Sequence, residues 1–211
     1  YEGELGPQTL FSHGVASGDP LPDAIILWTR VSPATMEPVS VWWEIALDPD
    51  FELRVQVGEL STSEQADYTA KVDVQGLEPG ETYYYRFFAL GRSSLIGRTR
   101  TAPVGEVDRL RFAVVSCSNH SRGYFNVYRR IAEREDLDLV LHLGDYIYEY
   151  GRSGTLYEDG SGMEGELRTR LVEPPYEIVS LGDYRARYGS YRRDPDLQAA
   201  HQQHPFVVVW D

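Results

Sequence analysis

The 211-residue chain has very little cysteine, lysine or methionine: Cys117, Lys71, and two methionines, neither at its start. A single thiol excludes an intrachain disulfide framework and a Cys-rich zinc module. It leaves open one thiolate in a mixed-ligand metal site. Bases are also scarce, 20 against 33 acids, for a net charge of −13. That balance excludes a surface built for nucleic acid, whose phosphates need clustered Lys and Arg. Long hydrophobic runs are missing too. None approaches the ~20 residues that span a bilayer, and the longest, near Leu137–Leu143 and Phe206–Trp210, are strand-length. No transmembrane segment is therefore expected. Tyr1 opens no signal-peptide pattern, and the chain stops at Asp211 just as an apolar strand finishes. Both ends read as those of a fragment. What is present is a 42% hydrophobic, 12% aromatic composition, enough for packed cores and contrary to general disorder. The length suits one large domain or two small ones.

The first half reads as short strands at regular spacing. Ala24–Arg30, Val39–Leu47, Phe51–Val57, Tyr68–Val74, Thr82–Leu90 and Ser93–Thr101 carry apolar or alternating patterns, the period of a half-buried strand. In Val39–Leu47 one face collects Val41, Trp43, Ile45 and Leu47; in Phe51–Val57 it collects Phe51, Leu53, Val55 and Val57. Turn residues separate them, among them Gly18-Asp19-Pro20, Asp48-Pro49-Asp50 and Pro79-Gly80. This pattern predicts an antiparallel sandwich. The stretch Leu77-Glu78-Pro79-Gly80-Glu81-Thr82-Tyr83-Tyr84-Tyr85 resembles the fibronectin type III corner, where a tyrosine hydroxyl bonds back to the backbone. Packing is the expected role of all three tyrosines.

Residues 103–109 form a linker, and the pattern then changes. Leu110–Cys117 reads as a strand buried on both faces, Gly123–Glu135 as an amphipathic helix and Leu137–Leu143 as a second buried strand. Together they are a parallel pair with a crossover helix. Tyr150–Val179 is too long for an ordinary connection and reads as an excursion, a site rim or a mobile segment. Leu181–Tyr191 and Asp194–His204 follow as helices, the second with Asp194 as N-cap and Pro195 at its first position, a favoured pairing. Phe206–Trp210 is a third buried strand.

Open parallel sheets gather ligands at the carboxyl ends of their strands. There the sequence places Cys117, Asp145 and Asp211, with Tyr148 three residues past Asp145. Convergent buried carboxylates repel one another unless a cation compensates them, so a metal site is the economical reading. Asn119 and His120 precede the first helix of this half and are candidates for phosphate contact through its free N–H groups, though a loop and cap role weighs more. Arg152 is a further substrate-binding candidate, and Tyr146 and Glu149 are placed at the rim. His142 reads as a core histidine, His13 as structural, and His201 and His204 as packing or solvent-facing.

Several stretches carry a family resemblance. They are Phe11-Ser12-His13-Gly14-Val15-Ala16-Ser17-Gly18-Asp19-Pro20, Leu27-Trp28-Thr29-Arg30, Ser116-Cys117-Ser118-Asn119, Leu141-His142-Leu143-Gly144-Asp145-Tyr146-Ile147-Tyr148-Glu149, Asp194-Pro195-Asp196-Leu197-Gln198-Ala199-Ala200-His201 and the closing Val209-Trp210-Asp211. In combination they resemble the PhoD-type alkaline phosphatases over essentially the whole chain. The resemblance implies a fibronectin III-like sandwich over residues 1–102, a linker over 103–109 and, over 110–211, the first part of an α/β calcineurin-like metallophosphoesterase domain. It implies hydrolysis of phosphate mono- and diesters outside the cytoplasm, in a secreted, periplasmic or cell-envelope setting, for phosphate scavenging. It implies ferric iron and calcium as cofactors. By position, Cys117, Asp145 and Tyr148 match iron ligands, with Asp145 bridging to calcium, and Asp211 stands at the first aspartate of a further motif.

Hard carboxylate and phenolate oxygens suit ferric iron and calcium; a soft thiolate on iron rests on the resemblance alone. No serine with a neighbouring base is apparent, so a metal-activated water is the expected nucleophile, with no phosphoenzyme. The phosphate ester is the expected partner, and nothing in the sequence signals an oligomeric state. The 211 residues alone are expected to be inactive, and unstable if the edge of Phe206–Trp210 is left unpaired. The competing reading is an extracellular fibronectin III-like adhesion module without catalysis, in which residues 1–102 bind a ligand alone. No aromatic patch or basic stripe in that half marks such a surface.

Overall fold

Period-2 alternation in the first half resolves into strands in a computed structural model, which describes residues 9–151 and 170–210. Among the described residues these are β1 (Val15–Gly18), β2 (Ala24–Arg30), β3 (Val39–Ala46), β4 (Arg54–Thr62), β5 (Thr69–Gln75), β6 (Thr82–Ala89), β7 (Arg92–Ser93) and β8 (Gly97–Arg100). The second half supplies β9 (Phe112–Val115), α1 (Asn126–Ala132), β10 (Leu139–His142), α2 (Leu181–Arg192), α3 (Pro195–Gln203) and β11 (Pro205–Val208). Of the caps of the later helices, that of α3 is the one the sequence announces, while the box on α2 is found only in the structure. Asp194 accepts from the amides of Asp196 and Leu197 at the start of α3, and Ser180 with Asp183 closes a capping box on α2. Such caps satisfy N–H groups that a helix start leaves without partners.

Two sheets result. One is antiparallel, in the order β4-β3-β6-β7, with β8 also on β6. The other has six strands in the order β5-β2-β1-β11-β10-β9. Its β5-β2-β1 part is antiparallel and its β1-β11-β10-β9 part is parallel. The sheet therefore runs without a break from the first half of the chain into the second. Strand β1 is too short to show alternation and reads in sequence as a lead-in to a turn. In the fold it sits between β2 and β11, with Ser17 opposite Pro205 and Gly18 opposite Phe206. The expectation that Phe206–Trp210 leaves an unpaired edge is thus corrected: β11 is flanked by β1 and β10.

Two further expectations are corrected. Among the described residues the β9 strand is not buried on both faces, since it stands last in the sheet they form; Phe112 and Val114 are 45% and 59% exposed. In the Phe51–Val57 segment, the strand begins only at Arg54, and Leu53 and Val57 are each 61% exposed. The reason lies in the turn. Asp48 accepts from the amides of Glu52 and Leu53, which carries Phe51 into the core and delays the strand. Gln56, Gly58 and Leu60 then take the less exposed face, with Gly58 against the Trp43 ring.

The first core lies between the two sheets and includes Ile25, Leu27 and Val74 from one and Val41, Ile45, Tyr85 and Phe87 from the other. Tyr83 does more than pack. Its hydroxyl accepts from the Glu78 amide at 2.9 Å, and the Thr101 hydroxyl donates to the Glu78 carbonyl at 2.7 Å. The second core joins Tyr128 and Ile131 of α1, Leu197 and Ala200 of α3, and Val140 and Phe206 of the sheet. Between the cores the seam is polar and buried. Arg192 of α2 donates to the carbonyls of His13 and Val15 and stacks 4.8 Å over Trp28, while Gln198 and Gln202 of α3 donate to the carbonyls of Ser12 and Ile96.

All five histidines are held below their ordinary pKa, with desolvation the leading cause in each. The values fall to about 3 for His13 and to about 4 for His120 and His142, and the shift has the same direction for His201 and His204. As pH falls below ~6.5 the unfolded imidazoles take up protons that the folded ones refuse. Stability from these groups is therefore full above 6.5 and lost progressively toward pH 4. The urea midpoint is expected to be lower at pH 5 than at pH 7.5, and His120→Leu to make that decline shallower. A Cβ on Gly18 would stand 2.7 Å from the Phe206 carbonyl oxygen. Gly18→Val is expected to cost about 1–3 kcal/mol of unfolding free energy, read by urea denaturation.

Candidate metal centre

Strands β9 and β10 run in parallel, with Val115 opposite His142, so their carboxyl ends open side by side. The chain turns there twice. Cys117 donates its amide to the Gly144 carbonyl at 3.2 Å, and Ser118 donates to the Asp145 carbonyl at 2.9 Å. Cys117 and Asp145 both sit in the left-handed backbone region, at φ 56° and 50°. That conformation costs a residue with a Cβ on the order of 1 kcal/mol or more. It persists where the surroundings over-determine it, here through the bonds between the two turns. Tyr148 joins the pair: its hydroxyl donates to Asp145 Oδ2 at 2.8 Å, and the Cys117 side chain lies near enough to act on its ionisation. Burial, then the Asp145 carboxylate, then Cys117 push the phenol well above the ordinary tyrosine range.

Three of the candidate residues thus come together. Cys117 is exposed, and Asp145 and Tyr148 are half-buried. Asp145 borders a cavity of about 210 Å³ with Tyr146, Glu149, Tyr188 and Trp210, which puts Tyr146 and Glu149 at its rim. A larger cleft of about 840 Å³ shares Tyr146, Tyr188, Val208 and Trp210 with it and reaches Trp28 on the first-half sheet. Among the described residues, no group of three or more His, Cys, Asp or Glu gathers to hold a metal. The donor set is one thiol, one carboxylate and one phenol. Arg152 and Asp211 lie outside the described residues.

Of the remaining candidates, Asn119 adjoins this set, donating its amide to the Cys117 carbonyl at 3.1 Å and bordering a cavity of about 480 Å³ with Cys117, whereas His120 stands apart. Asn119 caps a single turn of 3₁₀ helix, its Oδ1 accepting from the Ser121 amide at 3.1 Å and the Ser121 hydroxyl at 2.9 Å. His120 donates its amide to the Tyr191 hydroxyl, and its ring packs against Phe125 and Tyr191. It lines a separate cavity of about 490 Å³ with Arg129, Arg170, Arg193, Asp194 and Asp196.

Behind the two turns lies a buried relay. The Ser118 hydroxyl meets the Tyr128 hydroxyl of α1 on one side and His142 Nε2 of β10, at 3.1 Å, on the other. His142 is a core histidine, and His201 and His204 are buried as well, bonded to the Tyr146 hydroxyl and the Ile131 carbonyl. Arg187, which sequence patterning passes over as one more arginine of a polar helix, is fully buried and donates to the Tyr148 carbonyl. Its only sequence signal is an arginine one helical turn before the buried Tyr191, on the face that packs inward.

Comparison with known proteins bears on these residues. Family models match twice, with the PhoD-like phosphatase N-terminal domain over residues 4–103 and the PhoD-like phosphatase over residues 112–211. Alkaline phosphatase D of Bacillus subtilis (strain 168) is 41% identical over 210 residues, covering 95% of this chain and 34% of its own length. A solved structure of PhoD superposes with a TM-score of 0.86 at 37% identity, over 100% of this chain and 40% of that one. The chain thus spans about a third of the curated relative and two fifths of the solved structure. Matched along both halves in sequence and in fold, the chain belongs to the PhoD-like phosphatases.

Proposed function

We propose that the whole protein of which this chain is part hydrolyses phosphate esters, as its relative's name, alkaline phosphatase D, describes. In this reading Cys117, Asp145 and Tyr148 would hold a metal centre, Asp145 would be shared between two cations and Asp211 would add to the set. The observation that carries it is the hydrogen bond from the Tyr148 hydroxyl to Asp145 Oδ2 at 2.8 Å beside the Cys117 thiol. A phenol proton held on a carboxylate, with a thiol nearby, stands where a cation would replace it. Carboxylate and phenolate oxygens are hard donors suited to ferric iron and calcium, the cations this reading assigns.

When bound, such cations lower the pKa of water and neutralise phosphoryl oxygens. The chain's own residues do the rest. On metal binding Tyr148 would release its phenol proton to solvent, so that its oxygen and the Asp145 carboxylate would be free to act as donors, and the rim residues Tyr146 and Glu149 border the space beside them. Asn119, from its place at the cap beside Cys117, and Arg152 are assigned to the phosphoryl oxygens; His120, whose ring packs against Phe125 and Tyr191 and lines a separate cavity, is left to packing. Water is the nucleophile in this reading, with no phosphoenzyme; Ser118, although 3.1 Å from His142 Nε2, is buried behind the turns. The net charge of −13 opposes an anionic substrate at long range, so the cations supply the attraction.

The domain reading is of a piece with this: a fibronectin III-like sandwich over 1–102, a linker over 103–109 and the first part of a calcineurin-like domain over 110–211, in a secreted or cell-envelope protein that scavenges phosphate. The continuous six-stranded sheet supports it over the adhesion module, since the first half shares its backbone pairing with the half that carries Cys117 and Asp145.

The experiment is turnover of p-nitrophenyl phosphate by the full-length protein, with metal analysis. Cys117→Ala and Asp145→Asn are each expected to lower kcat by roughly a hundredfold or more and to reduce bound metal. Tyr148→Phe is expected to lower kcat by about tenfold to a hundredfold, and removal of metal by a chelator to abolish turnover until metal is restored. An active, metal-free enzyme indifferent to Cys117→Ala overturns the reading.

A further inference from the structure

A buried guanidinium normally faces a carboxylate, because an uncompensated charge out of water is costly. Arg187 of α2 is 0% exposed, and its five hydrogen bonds all go to backbone carbonyls. Nε donates to Glu173 at 3.1 Å; Nη1 donates to Tyr148 and, at 3.0 Å, to Tyr150; Nη2 donates to Pro174 at 2.8 Å and Tyr176 at 3.2 Å. Arginine has five N–H donors in a rigid fork, so the group is saturated. Carbonyl dipoles from two chain segments solvate the charge, and among the described residues no acid pairs with it.

Those two segments are the point. One, residues 148–150, carries the Tyr148 phenol; the other is residues 173–176. They are tied again by the Ile178 amide donating to the Glu149 carbonyl at 2.9 Å. They approach so closely at Gly151 that a Cβ there would stand 2.8 Å from the backbone of Tyr176 and Glu177. The peptide that bears Tyr148 is thereby anchored to α2 by a fork that tolerates little displacement. We infer that Arg187 is a positioning residue: by gripping the carbonyls of residues 148 and 150, it sets where the Tyr148 hydroxyl stands relative to Asp145 and Cys117. The inference rests on the metal centre proposed above. Apolar packing would fill the same volume without the cost of a buried charge; the fork adds directional hold on one peptide.

The test uses the full-length protein as wild type, Arg187→Lys and Gly151→Ala. Lysine keeps the charge and loses the fork, while alanine at 151 pushes the two segments apart without touching Arg187 or the proposed ligands. Three readouts are needed: the urea midpoint, ferric iron retained against a competing chelator, and kcat and KM for p-nitrophenyl phosphate. Both variants are expected to bind iron about tenfold more weakly and to lose about tenfold in kcat, with KM nearly unchanged because no phosphoryl contact is removed. A merely structural role would lower the urea midpoint and leave the folded molecules with wild-type iron affinity and kcat. That result in either variant overturns the inference. Should Arg187→Lys fail to fold, Gly151→Ala decides by the same criterion. A wild-type protein that neither retains iron nor hydrolyses the ester overturns the functional reading, whereas an active wild type with indifferent variants overturns the positioning role alone.

Discussion

The backbone pairing of β1 with β11 is the contact on which the two halves of this molecule depend. It is short, two register pairs and the Asp19 amide on the Phe206 carbonyl, yet it converts two sheets' worth of chain into one six-stranded sheet. Everything at the seam follows from it. Arg192, Gln198 and Gln202 satisfy carbonyls of the first half that the junction takes out of water, and a buried carbonyl without a partner would be destabilising. Gly18 is small because the strands meet there at a distance no side chain tolerates.

The site is built by the same logic of backbone first and side chain second. The parallel ends of β9 and β10 place two turns together, and each turn spends conformational energy to hold one potential ligand in the left-handed region. The bonds between the turns offset part of that cost, and the Ser118 relay stiffens the ground behind them. Tyr148 comes from further along the chain and has no strand to fix it. Its position depends on the side-chain bond to Asp145 and on the grip that Arg187 takes on its peptide.

Much of this was legible in the sequence, and the reasons are specific. Ala24–Arg30 and Asp194-Pro195 announced themselves through strong local patterns, an apolar run and a cap with its proline. Cys117, Asp145 and Tyr148 were legible because strand ends and topology place them together before any coordinate does. Strand β1 was not, since four residues cannot show a period and its partner lies at the other end of the chain. The exposed face of β9 was not, since an apolar run carries no mark of which strand is outermost. Arg187 was hidden because its partners are carbonyls, which every residue has and no sequence pattern displays.

The β1–β11 pairing has a consequence in time as well as in space. Ser17 pairs with Pro205, so a strand made early in this stretch waits for one made almost at its end. Non-local pairing of this kind is slow to form. Until Pro205–Val208 emerges, the sandwich of the first half presents β1 as an open edge, with its apolar neighbours ready to add a strand from any chain nearby. A nascent chain of this family is therefore most vulnerable to mispairing during the interval between completing its first sandwich and delivering β11, and that interval is set by the length of the sequence between them.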